Sequence, residues 1–204
     1  MPRFTLIAFF GFFLAGIASA APIPAKVGLI ARANATTTFT EEPYSEFQIS
    51  DGVGGTAVDQ ANAVFVGKSH VGQCHFFFAK CFLEPFANVD LTTISADTLD
   101  AINSMRLAAE SAETDEFDPQ IDAASGATGT DFQCSAALQV GKIKNKVLKL
   151  TAEIEDINIK IAQAQASGAD TSSLESDLSS EQTKLNSNIA LDQANAGKMS
   201  QGVA

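Results

Sequence analysis

The chain has 204 residues, 13 Lys or Arg against 24 Asp or Glu, and a formal net charge of −11, so long-range repulsion disfavours nucleic acid and anionic lipid as generic partners. With no Trp and one Tyr, Tyr44, it lacks the aromatic platforms on which sugars and single-stranded nucleic acids stack. Its three cysteines are an odd count that excludes a disulfide scaffold and leaves at least one thiol outside any internal bridge.

Arg3 precedes the apolar run Phe4 to Ile17 and the small-residue site Ala18-Ser19-Ala20, which predicts a signal peptide over residues 1–20. The run is too short to cross a bilayer and no second stretch approaches that length, so the expectation is a secreted, extracellular chain with no stable membrane span. Residues 199–204 carry neither an apolar anchor tail nor a retrieval tetrapeptide, so free release is expected. Residues 21–40, rich in Pro, Ala and Thr without a period, predict a flexible leader. Within it Asn34-Ala35-Thr36 is an acceptor sequon, and glycosylation of Asn34 and a vacant site stand as equal readings.

Residues 41–204 are expected to form a single helical domain. Glu41 to Ile49 has only scattered apolar residues, and Ser50-Asp51-Gly52-Val53-Gly54-Gly55 reads as a turn. Thr56 to Val66 reads as a helix through Ala57, Ala61, Val64 and Phe65. The glycines before it suggest a phosphate loop, but the Gly-Lys-Ser/Thr ending and a preceding buried strand are both missing, so a helix start is the better reading.

Residues 67–84 differ from their surroundings in holding both histidines, Cys74, Cys81, Phe76, Phe77, Phe78 and Phe82. Imidazoles and thiolates suit zinc, yet the spacing matches no standard zinc pattern, and no metal is expected. Gly67-Lys68-Ser69 can be encoded through GTAAGT and Leu83-Glu84 through CTAG, a splice donor and acceptor. A retained intron read in frame is therefore one reading of this segment, and an authentic hydrophobic loop, buried or forming an exposed patch, is the other.

Ala96 to Ala112 predicts a second helix, with Leu99, Ile102, Met105, Arg106 and Ala109 placing an apolar stripe beside a polar one. Asp115 to Pro119 interrupts it, a short helix follows to Ala124, and Gly126 and Gly129 make another break. Gly129 to Ser135 is aperiodic and carries Cys134, a second candidate splice-boundary error.

A long C-terminal hairpin is predicted over residues 136–196. Ile143, Val147, Leu150, Ile154, Ile157, Ile161 and Ala164 alternate spacings of four and three along one coiled-coil-like seam. Ser167 to Asp170 ends that helix, Thr171 or Ser172 caps the next, and Ser172 with Glu175 fits a capping box. Leu174, Leu178, Leu185, Ile189 and Ala196 mark the second seam, and the short connection forces antiparallel packing. The fold class expected is all-α, an antiparallel helical bundle in which upstream helices cover the hairpin.

Lys142, Lys146 and Lys149 share a helix face with Lys144 nearby, the one basic cluster in an acidic chain. As a basic contact face they suit an anionic wall polymer or protein partner. The stronger reading is structural, with stems covering the seam and ammonium groups meeting acids such as Asp192. Glu153, Glu155 and Asp156 read as a solvated face. No nucleophile elbow, metalloprotease helix or Cys/His nucleophilic constellation is present, so no catalytic residue, cofactor or enzymatic activity is expected.

Phe47 to Gly52, Ala61 to Val66, Pro85 to Leu91 and above all Val140 to Leu150 with the C-terminal hairpin resemble a family of fungal small secreted proteins, effector candidates without an assigned activity. Residues 70–84 and the neighbourhood of Cys134 depart from that pattern. The resemblance implies secretion and a host-facing role and carries over no active-site residue. The expected function is a secreted, non-enzymatic interaction protein with a polypeptide or cell-wall polymer partner; a wall-associated or hydrophobic-surface-associated structural protein is the alternative.

Overall fold

A computed structural model describes residues 39–65, 89–124 and 130–203. In chain order the elements are α1 (Tyr44–Phe47), β1 (Gly52–Val53), α2 (Ala57–Phe65), a 3-10 turn (Leu91–Thr93), α3 (Ala96–Ser111), a π turn (Ala112–Phe117), α4 (Asp118–Ala124), α5 (Thr130–Ser167), α6 (Ser172–Ala194) and β2 (Met199–Ser200). The fold is all-α, an antiparallel helical bundle with a long C-terminal hairpin and one small sheet, in which β1 and β2 pair antiparallel. The predicted signal peptide, Asn34 and the segment 67–84 lie outside the described residues.

The seam residues Val147, Leu150, Ile154 and Ile157 are buried, and so are Leu148, Ala152 and Ile159 on other sides of the same helix. A helix apolar around its circumference belongs at the centre of a bundle, and α5 is contacted by α2, α3, α4, α6 and β2. By contrast α6 covers one side of α5: Leu185 and Ile189 are buried and Leu174 and Leu178 half-buried. Ala196, expected on that seam, lies exposed beyond the helix end.

Three local features differ from the sequence reading. The first hairpin helix begins at Thr130 rather than near residue 136, so Cys134 lies inside it, exposed. Asp115 to Pro119 does not interrupt the chain: α3 runs through the π turn into α4, and the Asp118 N–H donates to the Glu113 carbonyl five residues back. A wider turn accommodates Pro119, which lacks an N–H and whose ring would press on a carbonyl in α geometry. The capping box at α6 does not form. The Asp170 carboxylate instead accepts the Ser172 N–H at 3.0 Å, while the Thr171 hydroxyl donates to Glu175 at 2.7 Å.

Two consecutive residues of α5, both fully buried, hold the N-terminal segment to the bundle. Lys144 donates to the carbonyls of Asp51 (2.7 Å) and Val53 (3.2 Å), fixing the glycine turn. Asn145 donates to the Ala109 carbonyl at 2.8 Å and accepts the Tyr44 hydroxyl at 2.9 Å, tying α1 to α3. Burial lowers the Lys144 pKa, against the attraction of Asp192 and Asp51. Asp192, 1% exposed on α6, accepts the N–H groups of Gly55 and Ala57, each at 2.9 Å. The start of α2 is thus an anion site filled by the chain's own carboxylate, where a phosphate loop would present free N–H groups.

Residues 199–203 close the bundle as a strap. Ser200 donates its hydroxyl to the Ser50 carbonyl, the Gly202 N–H donates to Asp51 Oδ1 at 2.8 Å, and the Gln201 N–H donates to the Ala137 carbonyl of α5 at 3.0 Å. Val203 packs on Phe117, Ile121 and Leu138. Gly141 makes the approach possible, because a Cβ there would lie 2.0 Å from the Gln201 carbonyl oxygen.

Asp192→Ala is expected to destabilise the fold by about 2 to 4 kcal/mol in urea unfolding, since it orphans the buried N–H of Ala57 and the part-buried N–H of Gly55 and removes one of the two carboxylates that attract Lys144; a loss under about 1 kcal/mol would refute that role. Gly141→Ala, which stabilises an ordinary helix interior, is expected to lower stability by about 1 to 3 kcal/mol here. In a chain ending at Ser200 the same substitution should cost clearly less, because only the 3.2 Å approach of the Phe117 ring remains.

Candidate functional site

The anchors at Lys144 and Asn145 position α1 and α2 beside α3, and a cleft of about 390 Å³ opens between these helices. Its wall grows from an aromatic cluster. Phe39 stacks on Phe65 with ring centroids 6.0 Å apart, Phe47 meets Phe65 edge-on at 6.4 Å, and Tyr44 meets Phe47 edge-on at 5.5 Å. Burial pushes the Tyr44 phenol up to about 12, so it remains a protonated donor to Asn145 throughout the physiological range. Phe39, Phe47, Ala63, Val64 and Met105 line the cleft together with Thr40, Glu42 and Glu46. Both carboxylates are exposed and neither pairs with a cation among the described residues. Phe47 and Met105 beneath the cleft are 3% and 2% exposed, so its accessible lining is more polar than apolar, with Thr40, Glu42 and Glu46 exposed over the buried aromatic cluster.

The lysines singled out by sequence lie elsewhere and face inward. Lys149 binds Glu113 (2.7 Å) and Glu110 (2.9 Å), Lys146 binds Glu113 (2.9 Å), and Lys142 pairs with Asp118. Their partners therefore come from the continuous helix of α3, the π turn and α4, not from Asp192 across the hairpin. The physical reason is position: Asp192 is directed at the α2 start, whereas the π turn swings Glu113 toward α5. Burial raises the Glu113 carboxyl, but the bonds from Lys149 and Lys146 outweigh it and hold the group below the ordinary carboxylate range.

Glu155 and Asp156, expected on a solvated face, are 2% and 8% exposed. The central place of α5 leaves it no such face in this stretch. Burial pushes Glu155 up to about 7. Asp156 accepts from Lys160 at 2.5 Å through Oδ2, while its Oδ1 is buried without a partner. Burial and the negative charge of Glu181 also raise Glu153, against Arg106 and Lys184.

Sequence reasoning passed over the cleft residues, because Glu41 to Ile49 has no helical or strand period. The available signal was the concentration of Phe39, Tyr44 and Phe47 around Glu41, Glu42 and Glu46 in a chain poor in tyrosine and tryptophan.

A family model described as a domain of unknown function, DUF8454, matches residues 39–204. No curated protein and no solved structure matches the chain. Among the described residues, no helix is long and apolar enough to cross a membrane.

Glu155 and Glu113 respond to pH in opposite senses. The raised Glu155 carboxyl costs nothing below its unfolded value of 4.5 and destabilises increasingly as pH climbs from there through 7. Glu155→Gln is therefore expected to stabilise the fold at about pH 8, by on the order of 3 kcal/mol, and to leave it unchanged at about pH 4. The depressed Glu113 carboxyl contributes stability above 4.5 that is lost as pH falls through its folded value. Urea unfolding of Glu155→Gln and Glu113→Gln across this range should give stability differences of opposite sign near neutral pH, both fading in acid.

Proposed function

We propose that this chain, which belongs to the DUF8454 family over residues 39–204, is a secreted, non-enzymatic interaction protein, effector-like in the sense of acting on a polypeptide through its surface. The signal-peptide pattern of residues 1–20 supports export. The observation that carries the interaction reading is the cleft itself: a concave surface over a buried aromatic cluster, presenting Thr40, Glu42 and Glu46 and, among the described residues, lined by no histidine, cysteine or lysine. The lysines that suited a basic contact face are engaged by Glu110, Glu113 and Asp118.

The second reading, a protein associated with cell wall or a hydrophobic surface, draws support from Val53 and Met199. These residues are cross-strand partners, 45% and 73% exposed, and paired residues project from the same face of a ladder. They form a small apolar pair rather than an extended patch.

The two readings separate when purified secreted protein is incubated with wall material and, in parallel, with host polypeptides. Retention by one host polypeptide and absence from the wall pellet is the expected result. Sedimentation with the wall would favour the second reading, and turnover abolished by a carboxylate substitution would overturn the non-enzymatic assignment.

A further inference from the structure

We propose that residues 199–203 form an exchangeable arm, which closes on α5 of its own chain in the monomer and on α5 of a second copy in a reciprocal dimer, turning about residues 195–198.

The arm is attached more lightly than the groups it covers. From Gly197 to Val203 only Ser200 is buried, and Met199 is 73% exposed. Backbone and small polar groups hold it: the ladder of β1 and β2, the Ser200 hydroxyl on the Ser50 carbonyl, and the N–H groups of Gln201 and Gly202 on Ala137 and Asp51. None of its residues belongs to the main core, which draws on α1, α2, α3, α5 and α6. Val203 instead meets the separate cluster of Phe117, Ile121 and Leu138. Elements with few buried apolar contacts occupy the low end of local stability, so the arm opens while the bundle stays folded.

A lifted arm leaves a slot with narrow requirements. Gly141 forms its floor and admits backbone alone, since a Cβ there lies 2.0 Å from the Gln201 carbonyl oxygen. Asp51 Oδ1 accepts one N–H at 2.8 Å, and the fully buried Phe117, with Ile121 and Leu138, takes one short aliphatic side chain. The same segment of a second copy meets all of these requirements, and every arm contact is remade with only the hinge changed.

The hinge region supplies the reason for a second copy. Residues 195–198 carry the chain from α6 into β2 through Gly197 at φ +77°, where a side chain would meet open space, so backbone freedom and not packing sets this glycine. Of the four large hydrophobics exposed among the described residues, three flank this point: Leu191 in the last turn of α6, Met199, and Val53 opposite Met199. Two chains that exchange arms cross at their hinges, which brings these apolar groups from both copies together and buries what the monomer leaves exposed. A short tether holds the arm near its own slot at an effective concentration in the millimolar range, so the monomer prevails in dilute solution.

The test measures mass by light scattering on the full chain and its variants. Deleting residues 195–197 shortens the reach by about 10 Å and denies the arm its own slot, so this variant is expected to be a dimer at micromolar concentration. Ending it at Lys198 should return it to monomer, and G141A in the deleted chain should raise the dimer dissociation constant by roughly tenfold or more. The unmodified chain gives a second reading that decides the matter if the deletion prevents folding. Refolded from urea at millimolar concentration, it is expected to yield a dimer that reverts slowly after dilution, whereas the chain ending at Lys198 yields none. A monomeric deletion variant that retains its helical circular dichroism overturns the proposal, as does an unmodified chain that stays monomeric at every concentration. A dimer that persists without residues 199–204 overturns it too, because association would then run through exposed side chains and not through the arm.

Discussion

Two neighbouring residues in the middle of the longest helix organise this protein. Lys144 and Asn145 are both fully buried, and successive helix positions diverge by about 100°, so each serves a different part of the chain. Lys144 gathers the carbonyls of the glycine turn, with Asp192 completing the same hub from α6 by accepting the first N–H groups of α2. Asn145 bridges Tyr44 and Ala109. A segment of modest length, residues 39–65, is thereby fastened at both its helices by polar groups in a low-dielectric interior, where a satisfied hydrogen bond is directional and an unsatisfied one is costly.

The same logic extends to the distribution of charge. The bundle has fewer cations than anions, and the lysines of α5 are drawn toward the acids of the π turn and its flanking helices. The π turn contributes directly, because it carries the chain past Pro119 while presenting Glu113 to three lysines. Among the described residues, Glu42 and Glu46 beside α1 have no cation within 4.0 Å.

The hairpin was readable because its signal is local: a period between three and four, sustained from Ile143 to Ala164, has few other structural solutions. The stripe of α3 at Ile102, Met105 and Ala109 was readable for the same reason. Glu155 and Asp156 were misread because polar residues on a helix signal solvent only when the helix has a solvent side, and α5 at that height has none. Lys144 is the counterpart case, one lysine in a row of four whose fate differs completely from its neighbours. The cleft was least legible, since Phe39, Glu42, Glu46, Val64 and Met105 are brought together from three elements by contacts that no periodicity encodes.

Amphipathic spacing, turn glycines and the absence of catalytic signatures determined the fold class, the C-terminal hairpin and the expectation of a binding role, because each depends on residues close together in the chain. Tertiary structure alone decided which side of α5 is the centre, which acids meet the lysines, that Gly141 admits the C-terminal strap and that Asp192 caps α2. Those outcomes depend on distances across the bundle, between Tyr44 and Asn145, between Gly55 and Asp192, and between Gly141 and Gln201. Such distances are set when helices pack, and sequence separation carries no record of them.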